Sequence, residues 1–225
     1  MAEFYLVRHG QASFGKADYD QLSELGYQQS EWLGEYFAER NIKFDGVIRG
    51  AMKRHHQTAE SICKAMQADT PHEIDEGLNE FDFESVVRAY LADNPAHTPA
   101  KQATPAEYYR LLKNAMHSWS NEQLDSSLIS ETWQDFSARV ENTLQHVCQR
   151  RPEKPLLLVS SGGAMSVMMG HVLGLSIESI INLNMQTKNA SFSHFYFNRD
   201  KVTVNSFNSI PHLDRPSRLH AVTYS

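Results

Sequence analysis

Cysteine is nearly absent: Cys63 and Cys148 are the only two in 225 residues. They stand far apart and outside any metal-ligand spacing, so neither a disulfide framework nor a zinc site is indicated, and a reducing cytoplasm fits best. Long apolar runs are missing as well. The most apolar short stretch is Leu156-Leu157-Leu158-Val159, far below the roughly 20 residues that a membrane-crossing helix needs. The N-terminus enters its first strand at once, without a charged-then-apolar leader, which argues against export. Basic residues are in deficit: 21 Lys and Arg face 27 Asp and Glu, for a formal charge of −6. That balance gives no electrostatic basis for gripping a nucleic-acid backbone. An anionic ligand must therefore be met by a local pocket. Low-complexity tracts, internal repeats and flexible linkers are missing too.

What is present suits a globular core. Apolar residues make up 41% and aromatics 10%, a composition that buries enough surface to fold. Length alone allows one large α/β domain or two small ones. The most informative stretch comes first, Phe4-Tyr5-Leu6-Val7 running into Arg8-His9-Gly10-Gln11. It reads as a buried strand ending in a chemically equipped loop. Arg is a permanent cation whose planar fork suits phosphate oxygens, His serves as nucleophile or acid/base near neutrality, and Gly admits a ligand to the backbone. Those residues point to a phosphoryl-handling site. A strand that merely ends in a solvated Arg-His pair is the alternative on these residues alone.

A polar loop from Ala12 to Gln21 leads to a helix capped by Ser23 and ending near Arg40, with Leu25, Trp32, Leu33, Tyr36 and Phe37 at helical spacing. A short strand at Asp45-Gly46-Val47-Ile48 feeds a loop and then a helix to about Met66. Arg54 falls in the first turn of that helix, where the dipole disfavours a cation and a bound anion would explain it. His72-Glu73-Ile74-Asp75 is a weaker strand. Residues 81–130 break the alternation and read as an inserted helical cap, with Thr104-Pro105-Ala106-Glu107 as a capping box. Its aromatics exceed what a small core needs, which places some of them at a pocket. A helix from about Thr132 to Gln149 returns to a buried parallel strand, Pro155 to Ser160, which opens at Ser160-Ser161-Gly162-Gly163 into another helix. Two strands joined through Asn198-Arg199-Asp200 form a terminal antiparallel hairpin. The expected fold is a single three-layer α/β/α domain over residues 1–225, its mostly parallel mixed sheet of about six strands including one antiparallel strand.

Carboxyl ends of parallel strands share one edge, so the loops at Arg8-His9-Gly10, Gly50 to Arg54 and Ser160 to Gly163 can converge on one ligand. Taken together these residues resemble the histidine phosphatase superfamily, also called the phosphoglycerate mutase-like family. Leu6-Val7-Arg8-His9-Gly10-Gln11 is similar to its Arg-His-Gly signature, Met52-Lys53-Arg54 with Gln57-Thr58-Ala59 to its second arginine motif, and Leu78-Asn79-Glu80 to its acid loop. The resemblance implies a two-step phosphoryl transfer. His9 attacks phosphorus, Glu80 protonates the leaving oxygen, Arg8 and Arg54 supply fixed positive charge, and water discharges the phosphohistidine. Gln11, Ser161 and Gly162 complete the implied phosphate pocket. No metal or other cofactor is implied, because the arginines stand where magnesium stands in other phosphoryl enzymes. The implied partner is a small phosphorylated substrate, with no nucleic acid and no membrane.

Two positions depart from the family pattern. Ser161 stands where the family carries its second histidine, and Gly15 replaces the asparagine that many members place after their Arg-His-Gly. Losing one preorganised donor costs on the order of 10²–10³ in rate, which backbone N–H groups of Gly162 and Gly163, or His55 or His56, are positioned to offset in part. The leading reading is a metal-independent phosphomonoesterase. A phosphate-binding protein with weak or no turnover is the alternative. A phosphoglycerate mutase is a third, opposed by Gly15 and by a cap in which acidic residues outnumber Lys and Arg.

Overall fold

The structure, a computed structural model, describes residues 1–13, 20–100 and 102–224. Gly15 lies outside the described residues. The six strands are β1 (Ala2–Arg8), β2 (Gly46–Arg49), β3 (His72–Ile74), β4 (Leu156–Ser160), β5 (Phe192–Phe197) and β6 (Val202–Ser209). They form one sheet in the order β3-β2-β4-β1-β5-β6. β3, β2, β4 and β1 run parallel, and β5 lies antiparallel to both its neighbours, so it is the one reversed strand.

Alternation along β1 assigns the two faces. Phe4 and Leu6 pack with Leu156 and Leu158 of β4 into one apolar cluster, while Tyr5 and Val7 pack with Leu157 and Val159 into another, as side chains pointing to opposite faces of a pleated strand must. The second cluster is covered by α1 (Glu24–Glu39) and α2 (Lys53–Ala65), through Leu33, Phe37, Ala59 and Ile62. The first is covered by α5 (Trp133–Gln149) and α6 (Gly162–Leu173), through Phe136, Val140, Met165 and Met168. Three layers result. Ser23 caps α1 by accepting from Gly26 N, and Thr132 and Asp135 form a capping box at the start of α5.

Residues 81–130 carry α3 (Phe83–Asp93) and α4 (Pro105–Ser120), the latter opened by the Thr104/Glu107 capping box. Their aromatics serve packing more than a pocket. Phe81, Tyr90 and Trp119 are buried in the same cluster as Phe136, with the Trp119 ring 4.9 Å from Phe81 and 5.2 Å from Trp133. Joining α4 to α5 requires those rings, and Trp119 Nε1 satisfies itself on the Glu131 carbonyl at 3.0 Å. Tyr108 and Tyr109 alone of these rings stay exposed. A further helix, α7 (Ile177–Gln186), follows Gly174, whose φ of 63° ends α6 in the left-handed conformation. It has no counterpart in the sequence reading, because only Ile180 and Ile181 of its ten residues are buried and the apolar period is short. Among the described residues no helix is long and apolar enough to cross a membrane.

His212 is fully buried beside the Tyr36 ring, and neither ring nitrogen has a hydrogen-bond partner among the described residues. Burial first, then Arg218 and Arg215, pushes its pKa down to about 3. The unfolded chain takes up this proton near pH 6.5, whereas the fold refuses it until far lower. Stability is therefore complete above about pH 6.5 and falls as the solution is acidified below it. Replacing the ring removes that loss: the unfolding midpoint of His212→Phe is expected to drop less between pH 7.5 and pH 5 than that of the wild type. Equal drops would contradict the assignment.

Candidate active site

Pairing fixes where the equipped loops begin. Arg8 of β1 stands opposite Ser160 of β4, and Arg49 of β2 stands opposite Val159. Just past the strands, His9 N donates to Ser160 O at 2.9 Å and Gly50 N to Val159 O at 3.2 Å. The three loops thus leave one edge side by side.

His9 is buried, and its Nδ1 lies 2.7 Å from Gly10 O. A carbonyl only accepts, so Nδ1 carries the proton and a neutral ring presents the Nε2 lone pair. Burial, with Arg54, Arg8 and His55 nearby, holds the His9 pKa well below the ordinary histidine value. Gly10 N in turn donates to Thr58 Oγ1 at 3.1 Å, which moors the loop to α2. Arg8 is buried with Nη1 donating to the main-chain oxygens of Thr187 and Tyr224, the latter at 3.2 Å. Gly162 opens α6 against that guanidinium.

Arg54 lies in the first turn of α2 and is buried. Its unfavourable place on the helix dipole is met by a protein carboxylate: Asp20 Oδ1 accepts from Arg54 Nη1 at 2.8 Å, and Asp20 Oδ2 from Lys53 N at 2.9 Å. Asp20 thereby supplies the cap that Met52 lacks. On its other side Arg54 Nη2 reaches Ser161 Oγ at 3.5 Å, and His55 Nε2 lies 2.7 Å from the same oxygen. Ser161 and His55 are fully buried. His56, the neighbouring candidate, turns away to pair with Glu60 at 3.2 Å.

Glu80 reaches α6 from the loop after β3. Its Oε2 accepts from Gly163 N at 3.0 Å, so that N–H is not left for a ligand as the sequence had offered it. A Cβ on residue 163 would collide with Glu80 Oε1, which makes glycine necessary for this approach. The loop itself is held by Arg139 of α5, whose Nη1 donates to Gly77 O and Asn79 O at 3.1 and 2.8 Å while Nη2 pairs with Glu131 at 2.8 Å. Ser160 Oγ donates to Leu78 O at 2.7 Å from β4. Gln11 stands apart from this group. Its Oε1 accepts from Ser23 Oγ and its N–H donates to Gln29 Oε1, both at 2.8 Å, which ties it to the start of α1.

Asp20 and Arg139 were not read from the sequence. A signal existed for the first, since α2 begins with two cations and no acidic residue and must borrow an anion. None existed for Arg139, which is spaced like any surface residue of an amphipathic helix. Among the described residues no group of three or more His, Cys, Asp or Glu could hold a metal ion. An open cleft of about 460 Å³ is lined by Tyr109, Arg110 and Lys113 of α4 with Met185 and Tyr224, the residue whose main-chain oxygen accepts from Arg8 Nη1. Two cations therefore meet there, in a segment whose overall count is acidic.

A neutral imidazole among guanidinium groups, at the carboxyl edge of a parallel sheet, is an arrangement that can serve phosphoryl transfer. The chain belongs to the histidine phosphatase superfamily, branch 1, whose family model matches residues 4–210. A 67-residue stretch is 37% identical to the serine/threonine-protein phosphatase Pgam5, mitochondrial, of Caenorhabditis briggsae, covering 30% of this chain and 23% of that relative. Over 192 residues it is 26% identical to a 2,3-bisphosphoglycerate-dependent phosphoglycerate mutase of Mesorhizobium japonicum, covering 81% and 86% of the two chains. The fold matches that of a phosphoserine phosphatase from Entamoeba histolytica, in complex with 3-phosphoglyceric acid, with a TM-score of 0.66, 20% identity, and 95% and 100% of the chains covered.

The tautomer and charge of His9 are directly measurable. In ¹⁵N-histidine spectra His9 is expected to keep its proton on Nδ1 and to stay neutral at pH 5.5, where an ordinary histidine is about nine-tenths protonated. Protonation of Nε2 with a midpoint near pH 6.5 would contradict the geometry.

Proposed function

We propose that the protein is a metal-independent phosphomonoesterase working through a phosphohistidine on His9. The observation that carries this reading is the Nδ1–H bond of His9 to Gly10 O at 2.7 Å, which leaves Nε2 as an in-place nucleophile. Nε2 attacks phosphorus, the bond from phosphorus to the ester oxygen breaks, and Glu80 gives that oxygen its proton. Water then attacks phosphorus, Glu80 takes the water proton, and the phosphorus–nitrogen bond breaks to free inorganic phosphate and His9. Arg8 and Arg54 hold the phosphoryl oxygens and oppose the charge that spreads over them, while the hydrogen bond to Gly163 N aims the Glu80 carboxyl.

Ser161 and Gly162 complete the phosphoryl pocket in this reading, and Gln11 supports it from the start of α1. In this reading the cleft at Tyr224, whose main-chain oxygen accepts from Arg8, receives the rest of the substrate. Arg110, Lys113 and Tyr109 suit an ester whose alcohol part carries an anionic or planar group. That chemistry fits the names of the relatives, which divide between phosphatases and a mutase. Hydrolysis is favoured over mutase action because Asp20 already engages Arg54, which lowers the positive charge available to hold a second phosphoryl group.

The test is hydrolysis of phosphomonoesters by chelator-treated protein. Wild type is expected to hydrolyse both an aryl and an alkyl phosphate, and His9→Ala to lose both with its fold intact. Glu80→Gln should slow the alkyl ester by about 10²–10⁴, the worth of a general acid, and the aryl ester far less, because a phenolate leaves without a proton. Equal catalysed rates in wild type and His9→Ala would contradict the phosphohistidine step, and a wild type no faster than the uncatalysed reaction would leave a phosphate-binding protein as the better reading.

A further inference from the structure

Ser161 is the N-cap of α6, and a serine in that place ordinarily turns its hydroxyl onto its own helix. Here it makes no such bond. Glu80 Oε2 takes the Gly163 N–H instead, and Ser161 Oγ faces α2, where His55 Nε2 and Arg54 Nη2 lie at 2.7 and 3.5 Å. His55 is fully buried, its ring centroid 5.8 Å from that of His9. Its Nδ1 has no hydrogen-bond partner among the described residues and is lodged against Gly50, where a Cβ would collide with it.

These contacts fix the direction of the hydrogen bonds. Orphaned buried N–H groups are rarer than under-satisfied acceptors, so the one proton of a neutral His55 sits on Nε2 and is donated to Ser161 Oγ. Burial, with Arg54 and Arg49 beside it, keeps that ring neutral. The arginine also can only donate. With both lone pairs of Oγ receiving, the hydroxyl proton must be given elsewhere, and the ligand side of the pocket is the direction left.

We propose that His55 and Ser161 form one relay: Ser161 donates its hydroxyl proton in a hydrogen bond to a phosphoryl oxygen, and His55 acts as the positioning residue that orients and polarises that hydroxyl. The pair rests on the phosphatase reading and supplies, from α2, the imidazole that is missing at position 161. No proton changes owner in the step. Donors in series strengthen one another as negative charge builds on the phosphoryl oxygen, so the benefit is larger in the transition state than in the bound ester.

A double-mutant cycle on the full chain, with an aryl phosphate as substrate, tests the relay. Ser161→Ala and His55→Leu should each lower kcat by about three- to tenfold, the worth of one hydrogen bond, with KM little changed. The double variant should be no slower than either single one, and His55→Gln, which keeps an N–H near the Nε2 position, should recover most of the loss. Multiplying effects, or a folded His55→Gln as slow as His55→Leu, would overturn the proposal. Inorganic phosphate titrated into the ¹⁵N-histidine protein gives a second readout, whose wild-type arm needs no variant. His55 is expected to carry its proton on Nε2, and that resonance should move with phosphate in wild type and much less in Ser161→Ala. Movement at His9 without movement at His55 defeats the relay alone, whereas silence at both rings defeats the phosphatase reading and the relay with it.

Discussion

The site depends on the placement of β4 in the middle of the parallel part of the sheet. Its main chain is paired on one side to β1 and on the other to β2, so Arg8, Arg49 and Ser160 are set in register before any side-chain chemistry begins. A slip of one residue would exchange the two faces of a strand, burying Arg8 where Val7 now lies. The continuous apolar run of β4, buried at every position, makes that slip costly on both faces. Everything else at the site is an attachment to this edge.

What is attached there obeys a shortage of partners. A helix N-terminus needs acceptors, and a buried guanidinium needs an anion or carbonyl. The chain meets these needs by crossing its elements. Asp20 serves both the start of α2 and Arg54, Glu80 serves the start of α6, and Ser161, relieved of capping, meets His55. Each exchange ties a candidate functional group to an element distant in sequence. Burial, with Arg54 and Arg8 close by, holds the His9 pKa well below the ordinary histidine value, the state in which an imidazole can act as a nucleophile and an anion is attracted to its surroundings.

Much of this was legible in the sequence because it follows from local period and turn chemistry. The apolar runs of β1 and β4, the Ser23 and Thr104 caps, the single reversed strand and the convergence of three loops follow from patterns within a few residues. What was not legible depends on the third dimension. Nothing local distinguishes His55 from His56, yet one turns inward to Ser161 and the other outward to Glu60. Arg139 holds the Glu80 loop from about sixty residues away. The cap aromatics exceed the need of the cap alone because Phe136 of α5, outside residues 81–130, packs against Phe81 and Trp119.

The claim on which the account turns is that phosphorus becomes bonded to His9 Nε2. Mixing the protein with a radiolabelled aryl phosphate and quenching in alkali within the first turnover tests it most directly. The account predicts protein-bound label that survives alkali, is lost in acid as a phosphoramidate is, and maps to the peptide containing His9. Turnover without bound label, or an acid-stable label on the peptide containing Ser161, would contradict it.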